Sequence, residues 1–167
     1  MRSIYKIVVC SLLTLSITSC EKDLLEKEQY QKEIYLIGAY NRVWTTEVSY
    51  SNEEVKTYFT VSSSGTLALD RDVNVKMKIN EELVDIYNKK YWTVLNEDKY
   101  YKSLDTDLYS IPSLENTVIK HAEGISAEVP VLIKTASLKI DQSYVIPVEI
   151  ESTTGYPISE SGYKMLI

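Results

Sequence analysis

The chain has 167 residues, a formal net charge of −6 and no stripe of basic side chains, which argues against nucleic acid as a partner. Its single histidine, His121, means that a histidine-based metal site would need carboxylates for every other ligand. The five glycines are scattered and no Gly-Lys-Ser/Thr occurs, so there is no phosphate-cradling loop.

In chain order, Arg2 and Lys6 precede an apolar run from Ile7 to Cys20, and Glu21-Lys22-Asp23 follows it. A positive start, an apolar middle and a small-residue cleavage zone make an export signal. The run is too short and too interrupted by Ser and Thr to span a bilayer comfortably. Ile17, Ser19 and Cys20 match a branched aliphatic residue, a small residue and an obligatory cysteine, so residues 1–19 resemble a bacterial lipoprotein signal peptide. The resemblance implies that Cys20 becomes the first mature residue and carries lipid, whose several acyl chains anchor the protein to a membrane. A cleaved, soluble secreted protein and an uncleaved anchor are the alternatives. Removing 19 of 167 residues leaves 148, one domain's worth, and losing Arg2 and Lys6 takes the charge from −6 to −8. With Cys10 cleaved away and Cys20 lipidated, the mature domain has no thiol, disulfide or cysteine metal site, and its stability rests on its core.

Residues 20–33 read as the lipidated cysteine and a charged tether, whose dozen residues reach roughly 40 Å when extended; a short helix over Leu24 to Tyr30 is the rival. Glu21 and Asp23 resemble the acidic signal that sends some Bacteroidetes lipoproteins to the outer face of the outer membrane. The expected address is therefore the outer membrane, lipid-anchored and facing the exterior, with the periplasmic face as the alternative.

Residues 34–167 read as one β domain. Strands are expected over Ile34–Ile37, Val43–Tyr50 and Val55–Val61, with a turn at Ser51–Glu54. Val73–Ile79 alternates cleanly, with Val73, Val75, Met77 and Ile79 on one face. The one convincing helix spans Glu81–Lys89, capped by Asn80, with Leu83, Ile86 and Tyr87 packing on a sheet edge. Tyr91–Ser103 is irregular and aromatic. Short strands follow at Leu108–Ile111 and Thr117–Ile119, then Glu128–Lys134, Tyr144–Ile150 and Tyr163–Ile167. Pro130 and Pro147 suggest an edge or a bulge in their strands. About eight short strands punctuated by turns make a mainly β protein, an antiparallel β-sandwich with one short helix.

Val84-Asp85-Ile86-Tyr87-Asn88, within residues 73–101, and Tyr144-Val145-Ile146-Pro147-Val148, within residues 126–159, carry a resemblance. Together with Ile34-Tyr35-Leu36 they resemble the immunoglobulin-like domain of unknown function near the N terminus of many Bacteroidetes surface lipoproteins. The departures fall in loops: Asn96 follows Leu95 where the family has proline, and the stretch Ile119–Gly124 lacks the family's proline. That domain commonly precedes a lectin-like or endoglycosidase-like module, and none follows Ile167 in this sequence. The resemblance implies an immunoglobulin-like fold and glycan capture at the cell surface.

Catalysis is not expected. His121 reads as a surface turn residue, and the carboxylate pairs Glu81/Glu82 and Glu97/Asp98 as exposed helix and turn positions. Asp70, Asp72 and Asn74 have a calcium-like spacing but lack the glycine and distal glutamate of a calcium loop. No cofactor and no metal is called for. Of 14 tyrosines, 13 lie beyond residue 19, and Tyr offers an apolar face with a polar edge suited to sheet surfaces and sugar rings alike. The expected ligand-binding residues are Tyr91, Trp92, Tyr100 and Tyr101, on the irregular stretch where a rigid scaffold carries binding groups. The reading is a non-catalytic surface lipoprotein accessory to polysaccharide capture or presentation. The partners are the membrane through lipid on Cys20, a polysaccharide, and a protein of a surface glycan-uptake complex. The alternative is a structural spacer or assembly domain that works through protein partners, its bare C-terminal strand edge pairing with another chain.

Overall fold

The computed structural model describes residues 27–41, 43–92 and 94–167. Residues 1–26, which include the signal peptide, Cys20, Glu21 and Asp23, lie outside the described residues.

The long alternating segments form the strands that build the molecule. β1 (Ile34–Leu36) and β2 (Glu54–Ser63) join β7 (Ser126–Lys134) and β5 (Tyr109–Ser110) in one sheet, in the order β1-β2-β7-β5. A second sheet has the order β10-β9-β3-β6, from β10 (Lys164–Leu166), β9 (Pro147–Thr153), β3 (Val73–Ile79) and β6 (Thr117–Ile119). All pairings within these two sheets are antiparallel. β4 (Lys102–Ser103) and β8 (Tyr144–Val145) add a short parallel pair. The one described α-helix, α1, spans Glu82–Tyr91. The fold is the mainly β sandwich with one short helix that the sequence pattern predicts.

Period-two alternation decides which side of each strand is dry. Phe59 and Val61 of β2, Val129 and Val131 of β7, Val73, Val75 and Met77 of β3, and Val148 and Ile150 of β9 all belong to one buried core. On the wet face of β3, Lys76 meets Glu151 at 2.7 Å and Lys78 meets Glu149 at 3.8 Å.

Four expectations are corrected. Val43–Tyr50 is not a strand: only Val43 pairs, in an isolated parallel bridge to Leu166, and the rest of the segment is a strap outside the sheets. Residues with high β propensity form a strand only where a neighbour offers a ladder. The helix is turned relative to the expected stripe. Leu83, Val84 and Asn88 are its buried residues, and Ile86 is 53% exposed, because the helix rests on Val145 and Leu166. Neither proline marks an edge strand. β7 lies between β2 and β5, but β5 pairs only with Leu132 and Ile133, so the ladder on that side stops short of Pro130. Pro147 is the first residue of β9, where a missing N–H is tolerated; the bulge falls at Glu151, skipped between the pairs Lys76–Ser152 and Met77–Ile150. Finally, the β10 edge is not bare. Trp44 N–H donates to Leu166 O at 2.7 Å, and Ile167 exchanges two backbone bonds with Ile146.

The expected Tyr144–Ile150 strand is split at that exchange. β8 pairs with β4, Ile146 turns to Ile167, and β9 enters the second sheet. Within the expected tether, the described residues lie along the loop after β2. Glu33 N–H donates to Ser64 Oγ at 2.9 Å, and Lys32 Nζ donates to Leu67 O at 2.6 Å and pairs with Glu28.

Candidate functional site: an aromatic cleft beside the strap

The strap is fixed from below by one buried threonine. Where β7 ends, the chain turns through Thr135–Ser137, and Thr135 is 2% exposed. Its Oγ1 accepts the Ser51 N–H at 2.9 Å and lies 3.1 Å from Ser49 O, to which it donates. Tyr50 OH donates to Ala136 O at 3.3 Å, and the hydroxyls of Thr46 and Thr57 are 2.8 Å apart. At the other end the strap is held by the Trp44–Leu166 backbone bond. The Trp44 ring lies over Gly38, whose φ is +89° and where an added Cβ would stand 2.4 Å from Trp44 Cε3. Only glycine allows both that backbone and that approach.

Tyr101 is fixed from the helix. The buried Asn88 side chain donates to Tyr101 O at 2.9 Å and accepts Tyr101 N–H at 3.0 Å. A side-chain amide thus completes the backbone pairing of a residue outside the sheets. The Tyr101 ring stands 5.6 Å from that of Tyr87, which in turn lies 4.5 Å from Tyr91. Burial raises the pKa of the Tyr87 hydroxyl, with smaller contributions from Tyr101 and Tyr91.

Between the strap, Tyr101 and the 138–146 segment lies a cleft of about 520 Å³. Trp44, Tyr50, Tyr101 and Tyr144 give it aromatic walls, and Thr46, Gln142 and Ser143 give it neutral polar groups. The buried Leu104, Val145 and Ile146 supply apolar backing. Its size falls within the roughly 300–1,000 Å³ common for small-ligand sites.

The four expected binding residues separate. Tyr101 lines this cleft. Tyr91 belongs to the stack on α1, 49% exposed, with Lys90 Nζ 5.4 Å from its ring centre. Trp92 is half-buried, has Lys99 Nζ 5.6 Å from its ring, and does not line the cleft; its Nε1 is buried with no partner among the described residues. Tyr100 is half-buried and also stands apart from it. Trp44, Tyr50 and Tyr144 read as strand residues by their types, and nothing in the sequence pattern marks the cleft they share.

Among the described residues the cleft lining contains no Asp, Glu, His or Cys, and Lys139 is its one charged side chain. Glycoside hydrolysis by the usual route needs two carboxylates flanking the bond. Among the described residues no group of three His, Cys, Asp or Glu could hold a metal ion. Asp70 is engaged by Arg71 at 2.9 Å and by Tyr156 OH, and both hold its carboxyl far below its ordinary pKa. Asp72 receives His121 at 2.7 Å, and that hydrogen bond lowers its pKa as well. No described helix is long and apolar enough to cross a membrane.

Comparison with known proteins gives the family. No curated protein matches significantly. A solved Bacteroides ovatus protein of unknown function superposes with a TM-score of 0.67 at 17% identity, over 82% of this chain and 45% of its own. A Bacteroides ovatus protein provisionally described as carbohydrate binding gives 0.61 at 18% identity, over 80% of this chain and 35% of its own. Bacteroides thetaiotamicron EndoBT-3987, solved with a Man5GlcNAc product, gives 0.51 at 21% identity, over 70% of this chain and 26% of its own. This chain spans less than half the length of each. At these identities the likeness is one of fold. A family model described as an N-terminal domain matches residues 30–157, covering both motif-bearing blocks, and the chain belongs to that family of N-terminal domains.

Proposed function

We propose that this domain is a non-catalytic module accessory to polysaccharide capture or presentation, holding a stretch of glycan in the cleft beside the strap. The observation that carries the proposal is the cleft itself: four aromatic side chains around neutral hydrogen-bonding groups, with no carboxylate in the lining. Aromatic faces stack on the C–H faces of sugar rings while their polar edges bond hydroxyls. The carbohydrate-related descriptions of two fold relatives support the same reading.

In this proposal lipid on Cys20 anchors the domain to the outer membrane, facing the exterior. The anchor is tested by metabolic labelling with a clickable fatty acid: the wild type takes up label and fractionates with membranes, and Cys20→Ser loses both. The binding site is tested by calorimetric titration with a polysaccharide panel. Trp44→Ala and Tyr101→Ala are expected to reduce affinity at least tenfold with the circular dichroism spectrum retained. Unchanged affinity in both variants overturns the cleft as the site.

A second reading, an assembly domain acting through protein partners, is favoured by the exposed apolar side chains of Tyr40, Ile86 and Tyr91 around α1. Tyr40 and Ile86 also line a smaller groove of about 370 Å³. Concentration-dependent sedimentation that is lost in Ile86→Glu supports it, and a monomer at all concentrations counts against it.

A further inference from the structure

The cleft's chemistry also bears on what kind of glycan fits it, an inference that rests on the binding reading above. We infer that the cleft selects neutral glycans and rejects uronate-bearing or sulfated ones. Its polar lining consists of hydroxyls and an amide: Thr45, Thr46, Tyr50, Gln142 and Ser143 offer donors and acceptors of no net charge. Carboxylates and sulfates are held by paired or forked cationic donors, typically arginine. Among the described residues no arginine lines the cleft, and the one cation there, Lys139, is an exposed surface residue. A single exposed ammonium gives little net attraction, and salt screens it further.

Desolvation argues the same way. An anionic group seated among Trp44, Tyr101, Tyr144 and the apolar backing of Leu104 and Ile146 would give up its water without a compensating ion pair. A neutral hydroxyl-bearing ring gives up less and finds partners in the threonines and Gln142. The overall charge of −6 adds a field that disfavours approach of a polyanion.

The test is calorimetric titration of the full chain with matched neutral and anionic polysaccharides: β-glucan, α-mannan and xylan against polygalacturonate and chondroitin sulfate. Each titration is run at about 0.05 M and 0.5 M salt. Saturable binding of a neutral glycan is expected, with affinity changing less than twofold between the salt concentrations. Gln142→Ala is expected to weaken it about tenfold. Binding of an anionic glycan that weakens at least fivefold in high salt and in Lys139→Ala overturns the neutral selectivity while leaving the cleft as a glycan site. Silence from both sets, with a cooperative thermal transition proving the sample folded, overturns the binding reading and this inference together.

Discussion

Asn88 is the residue on which the site's geometry turns. Both hydrogen-bonding ends of its amide are spent on the backbone of Tyr101, thirteen positions later, and the side chain is 4% exposed. Truncation leaves two partly buried backbone groups without partners, each costing about 1–3 kcal/mol. Asn88→Ala is therefore expected to lower the unfolding free energy by about 2–6 kcal/mol in urea titrations and to loosen Tyr101, the cleft's helix-side wall. The sequence shows Asn88 as the end of a motif but gives no sign of its partner, because a side-chain-to-backbone bond across thirteen residues leaves no periodic trace. Gly38 is similar. Gly38→Ala meets both a positive φ and the Trp44 ring, and is expected to cost about 1–3 kcal/mol and to shift the tryptophan emission to longer wavelength as Trp44 leaves its seat.

At the scale of the element, α1 and the strap show where local pattern stops being enough. The strands β3 and β7 were readable because one wet face against one dry face writes itself into every second residue. The helix was readable as a helix, but its buried stripe depends on what it rests on. The ledge formed by Val145 and Leu166 faces Leu83 and Val84, so Ile86 is left outside. Leu83→Ala is accordingly expected to cost about 2–4 kcal/mol, as a buried leucine truncation does, while Ile86→Ala stays within about 0.5 kcal/mol. Equal effects in parallel denaturant melts would contradict this orientation. The strap was unreadable for the opposite reason. Val43, Trp44 and Val48 look like strand residues, yet the segment's position is decided by Thr135 and Leu166, which are remote in sequence.

For the whole molecule, two acidic side chains near the start of β3 tie distant segments together. Asp70 reaches Tyr156 in the turn after β9, and Asp72 reaches His121 in the turn after β6. Both carboxyls have folded-state pKa values below their ordinary ones, Asp70 through Arg71 first and Asp72 through His121 first. A depressed carboxyl contributes stability that is fully present above its unfolded pKa, near 4, and is lost as pH falls through the lower folded value. The melting temperature is thus expected to fall steadily below about pH 4, and to fall less steeply in Asp70→Asn. Both groups are exposed, so the effect is modest and shrinks in high salt. The sandwich architecture was legible from alternation and turn spacing; these long-range ties were not, because side-chain hydrogen bonds across 86 and 49 positions carry no local signature.

The earliest described strand is completed by some of the last residues of the chain. Ile34 and Leu36 bond to Pro157, Ser159 and Gly162, and Val43 and Trp44 bond to Leu166. During synthesis, then, the segment that carries Gly38 and Trp44 emerges more than a hundred residues before its partners exist. Until those partners clear the ribosome, β1 has no second flank and the strap's Trp44 end has no hydrogen-bonded anchor. Closure of β1 and of the strap thus waits on contacts more than a hundred residues apart in the chain, a topology that slows folding.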